Sequence, residues 1–223
     1  MVDATAPAEN TTNTAVAHVR FAPTHTADGL REMLTAVFEA GEANVVVLEV
    51  ESGSDTSSDP ALEWLERFDL PIVASFEGHL AGDAASVALA CDVRVCGADA
   101  ALTPPPASDE RLRRLVHDTR ATHLAGRDGT FSAEELFEFG LVSTIQPAGA
   151  AHAEARRLAG VMATRGPIAL RLGKEAIWRG LEMPLEQALR FETDLTLLLQ
   201  TTKDRAEGVR AFLEKREPRF TGD

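Results

Sequence analysis

Short β-branched runs recur along this chain with helical stretches between them, and that alternation restricts the fold more than any other feature. The runs are AVAHVRF at 15–21, NVVVLEV at 44–50, PIVASF at 71–76 and DVRVCG at 92–97. Such brief, near-continuous apolar runs suit strands buried inside a parallel sheet. Between the first two, Leu30, Leu34, Val37 and Phe38 fall on one face of a helix. A short helix opened by Pro60 and ending near Phe68, then an alanine-rich helix over 83–90, separate the later runs. Strands alternating with helices in this way predict an α/β fold with a largely parallel sheet.

Punctuation residues divide the remainder. Three prolines in LTPPPAS, 102–108, exclude a regular helix or central strand there, and a helical pattern resumes over 109–125. Ser132 followed by Glu135 has the spacing of a capping box and opens a helix that stops at Gly140. LVSTI, 141–145, reads as a short strand. Beyond it only helical segments follow, over 150–164, 167–180, 184–201 and 203–216, with Pro167 and Pro184 in first-turn positions. The expected organisation is a flexible tail over 1–14, an α/β core over 15–149 and a helical region over 150–223.

Charge and cysteine usage narrow the function classes. A formal net charge of -13 across 223 residues argues against a polyanion partner such as nucleic acid. The acidic excess lies before residue 151, so an anionic ligand would find its cations in the last third. Cys91 and Cys96 are the two cysteines, and no histidine pair accompanies them at zinc-finger spacing. Reduced, buried thiols in a cytoplasmic protein are the expectation. No apolar stretch is long enough to span a bilayer, and the first residues lack the basic and apolar regions of a signal peptide.

Three blocks carry a resemblance to a known family. PIVASFEGHLAGDAASVALACDVRV at 71–95, LAGRDGTFSAEELFEFGLVSTIQP at 124–147, and KEAIWRGLEMPLEQALRFE at 174–192 with EGVRAFLEKREPRF at 207–220 occur in the order seen in the crotonase superfamily, the enoyl-CoA hydratases and isomerases. The chain resembles a shortened, divergent member. The resemblance implies a crotonase-like spiral of ββα units followed by all-helical C-terminal segments that cover the site and build trimers, often paired into hexamers. It also implies an acyl-CoA or acyl-carrier-protein thioester as substrate, with no cofactor beyond the coenzyme A that the substrate carries. Two backbone N–H groups would bind the thioester carbonyl as it becomes an oxyanion, each such donor contributing about 2.7–4 kcal/mol.

Carried over position by position, the family pattern meets departures. One donor turn is Ala81-Gly82-Asp83-Ala84, with Asp83 standing where glycine is common. An aspartate N–H still donates there, provided the turn needs no positive φ at that residue. The plainer reading of Asp83 is a solvated residue on a helix dipole; the sharper one is a displaced acid or base. The other donor segment reads GSDTSSDP at 53–60, which places its N–H near Ser57, between Thr56 and Ser58, and the stretch from Gly53 to Pro71 is short for the family. Of the two glutamates implied for hydration, one place falls on Pro106 and the other near Ala121. Isomerase, decarboxylase or cyclase chemistry is therefore expected over hydration, with Asp83, His79 or His117 carrying the proton. His117 and His123, six apart, do not share a helix face. Lys215, Arg216 and Arg219 are expected at the coenzyme A phosphates, against the plainer reading of a solvated helix end. A non-catalytic auxiliary subunit serving a partner enzyme is the competing expectation.

Overall fold

In this computed structural model the described residues are 16–53, 62–105, 109–116, 120 and 129–223. The N-terminal tail, Ser57, His117, Pro106 and Ala121 therefore lie outside them. A five-stranded sheet forms the centre, in the order β1 (Val16–Phe21), β2 (Val45–Val50), β3 (Ile72–Phe76), β5 (Val93–Gly97) and β8 (Thr144–Gln146). Every neighbouring pair is parallel. A second sheet joins three two-residue strands, β4 (His79–Leu80), β6 (Ala101–Leu102) and β7 (Phe131–Ser132).

The helices fill the connections. They are α1 (Ala27–Ala40), α2 (Glu63–Glu66), α3 (Gly82–Ala90), α4 (Asp109–Leu115), α5 (Ala133–Phe139), α6 (Ala151–Ala163), α7 (Pro167–Gly180), α8 (Leu185–Gln200) and α9 (Lys203–Glu214). The repeated unit of long strand, short strand and helix, as in β3–β4–α3 and β5–β6–α4, is the ββα spiral that the resemblance implied. Short strands such as β4 carry too few residues for a period-two signal, so they were not legible in advance. LVSTI also departs from expectation, because of its five residues just Thr144 and Ile145 pair with β5, in a strand that runs on to Gln146. Leu141 instead closes α5: Gly140 takes the left-handed φ of 79°, and the Leu141 N–H donates to the Leu136 carbonyl at 2.8 Å.

Pleating sends alternate residues of each strand to two cores. Val46, Leu48, Val50, Ile72, Ala74 and Phe76 pack with α1 and α3 on one face. Val45, Val47, Val73 and Val95 meet Ala151, Ala155, Ala159 and Ala163 of α6 on the other. Alanines four apart form a flat stripe that lets α6 lie close to the valines. Helices α7 to α9 bury little: Ile177, Leu181, Leu185, Phe212 and Leu213 are each more than two-thirds exposed. Among the described residues no helix is long and apolar enough to cross a membrane.

Candidate functional site

The candidate site is built at the N-terminus of α3. From Ala84 to Ala90 this helix is buried on every side, which its small residues permit. Ala81 is extended, and Gly82 makes the turn at φ 54°, a left-handed value that favours glycine. Asp83 itself has no positive φ, so an aspartate sits there without backbone strain. The first bond of the ladder is from the Ala85 N–H to the Ala81 carbonyl, so the N–H groups of Gly82, Asp83 and Ala84 stand ahead of it. Half-buried N–H donors at a helix end are of the kind that suits a developing anion.

Three features neighbour this turn. Gly53, the last described residue before Ser57, forms a parallel bridge with Leu80, two residues before Gly82. Gly53, the first residue of one donor segment, thus lies beside the residue that precedes the other. The Asp83 Oδ1 is shut off from solvent and accepts no hydrogen bond among the described residues. His79, exposed on β4, lies 2.8 Å through Nε2 from Thr103 Oγ1, which is 2.8 Å from Thr130 Oγ1. Sequence reading passed over both threonines, since their link exists only where β4, β6 and β7 come together.

The expected basic cluster forms a separate network at the end of α9. Arg216 is held by Glu207 and Glu214, and the Arg219 N–H also donates to Glu207. The Arg216 guanidinium first, and then the Arg219 backbone N–H, hold the Glu207 carboxyl at about 2, well below the usual range. Lys215, at φ 55°, closes the helix in the left-handed region. Among the described residues no group of three or more His, Cys, Asp or Glu side chains is arranged to hold a metal ion.

Comparison with known proteins now identifies the architecture. The profile of the enoyl-CoA hydratase/isomerase family matches residues 34–223. The chain belongs to the enoyl-CoA hydratase/isomerase family. The 2,3-dehydroadipyl-CoA hydratase of Escherichia coli is 34% identical over 167 residues, covering 71% of this chain and 66% of that one. The mitochondrial methylglutaconyl-CoA hydratase of Mus musculus is 33% identical over 172 residues, 71% of this chain and 55% of that one. The chain thus spans less than two-thirds of the length of either relative. The crystal structure of an enoyl-CoA hydratase from Bacillus anthracis superposes with a TM-score of 0.76 at 28% identity, covering 88% of each chain. The crotonase fold read from the three sequence blocks is the fold of this family member.

A second set of polar residues lies at the other end of α3. Lys174 Nζ lies 2.7 Å from Asp92 Oδ2 and also donates to the Leu70 carbonyl, fastening α7 to the C-terminal end of α3. The buried guanidinium of Arg94 donates to the carbonyls of Leu89, Cys91 and Leu141. Asp92, Arg94 and Lys174 all fall inside the blocks that carried the family resemblance, yet their pairing could not be read from one sequence.

Proposed function

We propose that the chain binds an acyl-CoA or acyl-carrier-protein thioester with its carbonyl at the start of α3, and stabilises an enolate-like oxyanion there. The observation that carries this reading is the donor turn at Gly82–Ala84, backed by a buried helix and with Gly53 bridged to Leu80 just ahead of it. Asp83 and Ser57 would supply the backbone donors. With Pro106 and Ala121 at the two glutamate positions, isomerase, decarboxylase or cyclase chemistry is favoured over hydration. His79, Asp83 and His117 are the candidate proton carriers, and His79 has a hydroxyl relay behind it in Thr103 and Thr130.

At the coenzyme A phosphates, Lys215 and Arg219 would act first, because Arg216 is already neutralised by two carboxylates. The exposed apolar faces of α7 to α9 supply the contact surface for a trimer or hexamer. A cytoplasmic setting and no metal or organic cofactor complete the proposal. One observation favours a second reading, a non-catalytic auxiliary subunit for a partner enzyme: a lone buried carboxylate oxygen beside the donor turn opposes negative charge on a bound carbonyl.

The test is a thermal-shift series with coenzyme A, acetyl-CoA, crotonyl-CoA and a malonyl thioester, followed by deuterium exchange at the α-carbon. A thioester at about 100 times its Kd stabilises the fold by about 2.7 kcal/mol. That is a rise of roughly 5–11 °C in a chain of this size. A larger shift for thioesters than for coenzyme A, with α-exchange lost in Asp83→Asn, supports the enzyme. Binding without exchange supports the auxiliary subunit, and no shift with any ligand refutes both thioester readings.

A further inference from the structure

The sheet face opposite α3 changes character toward the ends of its strands. Val47, Val73 and Val95 line the part covered by α6. One step further along, the register sets Arg20, Glu49 and Ser75 abreast on β1, β2 and β3. The first turn of α6 lays His152 over this polar row. Its Nδ1 is 3.3 Å from Ser75 Oγ, and its Nε2 is 3.8 Å from a Glu49 carboxylate oxygen. A cavity of about 250 Å³ opens on the row, bounded by Arg20, Glu49, Glu51, Ser75, Glu77 and His152. It lies at the C-terminal ends of parallel strands, where open α/β sheets gather ligands.

We propose that Ser75, His152 and Glu49 form a second reactive centre, at which small esters with short acyl groups are hydrolysed through an acyl-Ser75 intermediate. A nucleophile touching a base that is itself oriented by a third group is the arrangement that activates a serine. With the ring proton on Nε2, the nitrogen nearer Glu49, the Nδ1 lone pair faces the hydroxyl. Burial pushes the His152 imidazole below its ordinary value, with Arg156 acting the same way against Glu49, so the ring is a free base at neutral pH. The other charged neighbours are assigned: Arg20 pairs with Glu51, and Glu77 accepts the Gly149 and Ala151 N–H groups. His18 stands edge-on to His152 at 6.1 Å.

The step balances with water as the only co-reactant. Ser75 Oγ bonds to the ester carbonyl carbon while its proton passes to His152 Nδ1. The bond to the leaving oxygen then breaks, and Nδ1–H protonates the departing alcohol. Water attacks the acyl-serine, giving its proton to Nδ1, and the carboxylic acid leaves as Ser75 Oγ regains that proton. Glu49 is a positioning residue, since it acts through the imidazole.

The test uses the full chain with p-nitrophenyl acetate and with diisopropyl fluorophosphate, which loses fluoride as it bonds to a serine oxygen. The expected result is one phosphoryl adduct on the peptide bearing Ser75. Ser75→Ala should abolish adduct and ester turnover, and His152→Ala should slow both by about 100-fold or more. Ser75→Cys should move labelling by iodoacetamide to that position. Glu49→Gln should shift the acid limb of the pH–rate profile to lower pH, as removal of a negative neighbour requires. Adducts on other residues, or equal rates in wild type and Ser75→Ala, overturn the proposal. Ser75→Ala should keep the thermal shift with thioesters, because that site lies on the other sheet face, so failure of one centre is distinguishable from failure of the other.

Discussion

Replacing Gly97 with alanine tests how the turn ahead of the candidate site is held. A Cβ at Gly97 would sit 2.7 Å from both Glu77 Cδ and Asp99 Oδ1, and closer still to Glu77 Oε2. Asp99 is exposed and can swing into solvent, but Glu77 is engaged. Its two carboxylate oxygens each accept a hydrogen bond at 3.0 Å, from the Gly149 and Ala151 N–H groups at the start of α6. Hydrogen bonds to a charged group contribute about 1.5–3 kcal/mol each, and the partial exposure of Glu77 argues for the lower end, about 3 kcal/mol for the pair. In a chain of this size that is a fall in Tm of roughly 6–12 °C. Chemical denaturation followed by circular dichroism, run as a double-mutant cycle with Glu77→Ala, isolates the cause. If displacement of Glu77 is the mechanism, Gly97→Ala costs under about 0.5 kcal/mol once Glu77 is alanine, with a coupling of about 2–3 kcal/mol. An equal cost in both backgrounds refutes the reasoning.

Three further outcomes follow from buried ionisable groups. Lys174→Met leaves Asp92 largely buried with only the Ile72 N–H at 2.8 Å, and should lower stability by about 3 kcal/mol in urea melts; a loss below 1 kcal/mol contradicts the pairing. His18 and His152 are both held below the ordinary histidine value, chiefly by burial. The folded state thus resists protonation that the unfolded chain accepts near pH 6.5, so stability is full above that pH and falls as pH drops through it. The pH 7.5 to 5 decline in Tm should be shallower in His18→Asn/His152→Asn; an unchanged decline removes the histidines as its cause. Burial pushes the Cys91 and Cys96 thiols up to about 12, so Ellman's reagent at pH 8 should find none in the native protein and two after unfolding.

Helix positions, the parallel sheet and the family were legible because each rests on local signals. Periodicity marked α1, the capping box of Ser132 and Glu135 marked α5, and valine runs marked β2, β3 and β5. Asp83 and His79 were singled out because they adjoin a recognisable turn. Pairings between distant residues were not legible: His79 with Thr103 and Thr130, Glu77 with Gly149 and Ala151, and Asp92 with Lys174 join residues 24 to 82 positions apart. Even so, a trace was present. On the face that α6 covers, the pattern Val45, Val47, Glu49 and Val73, Ser75 breaks from apolar to polar at the same register row. Local spacing determines which side chains share a face, whereas only the lateral register of parallel strands and the crossing of α6 decide which faces meet. Contact between Ser75, His152 and Glu49 is a product of that register and crossing, because chain connectivity constrains sequence neighbours and tertiary packing alone selects spatial ones.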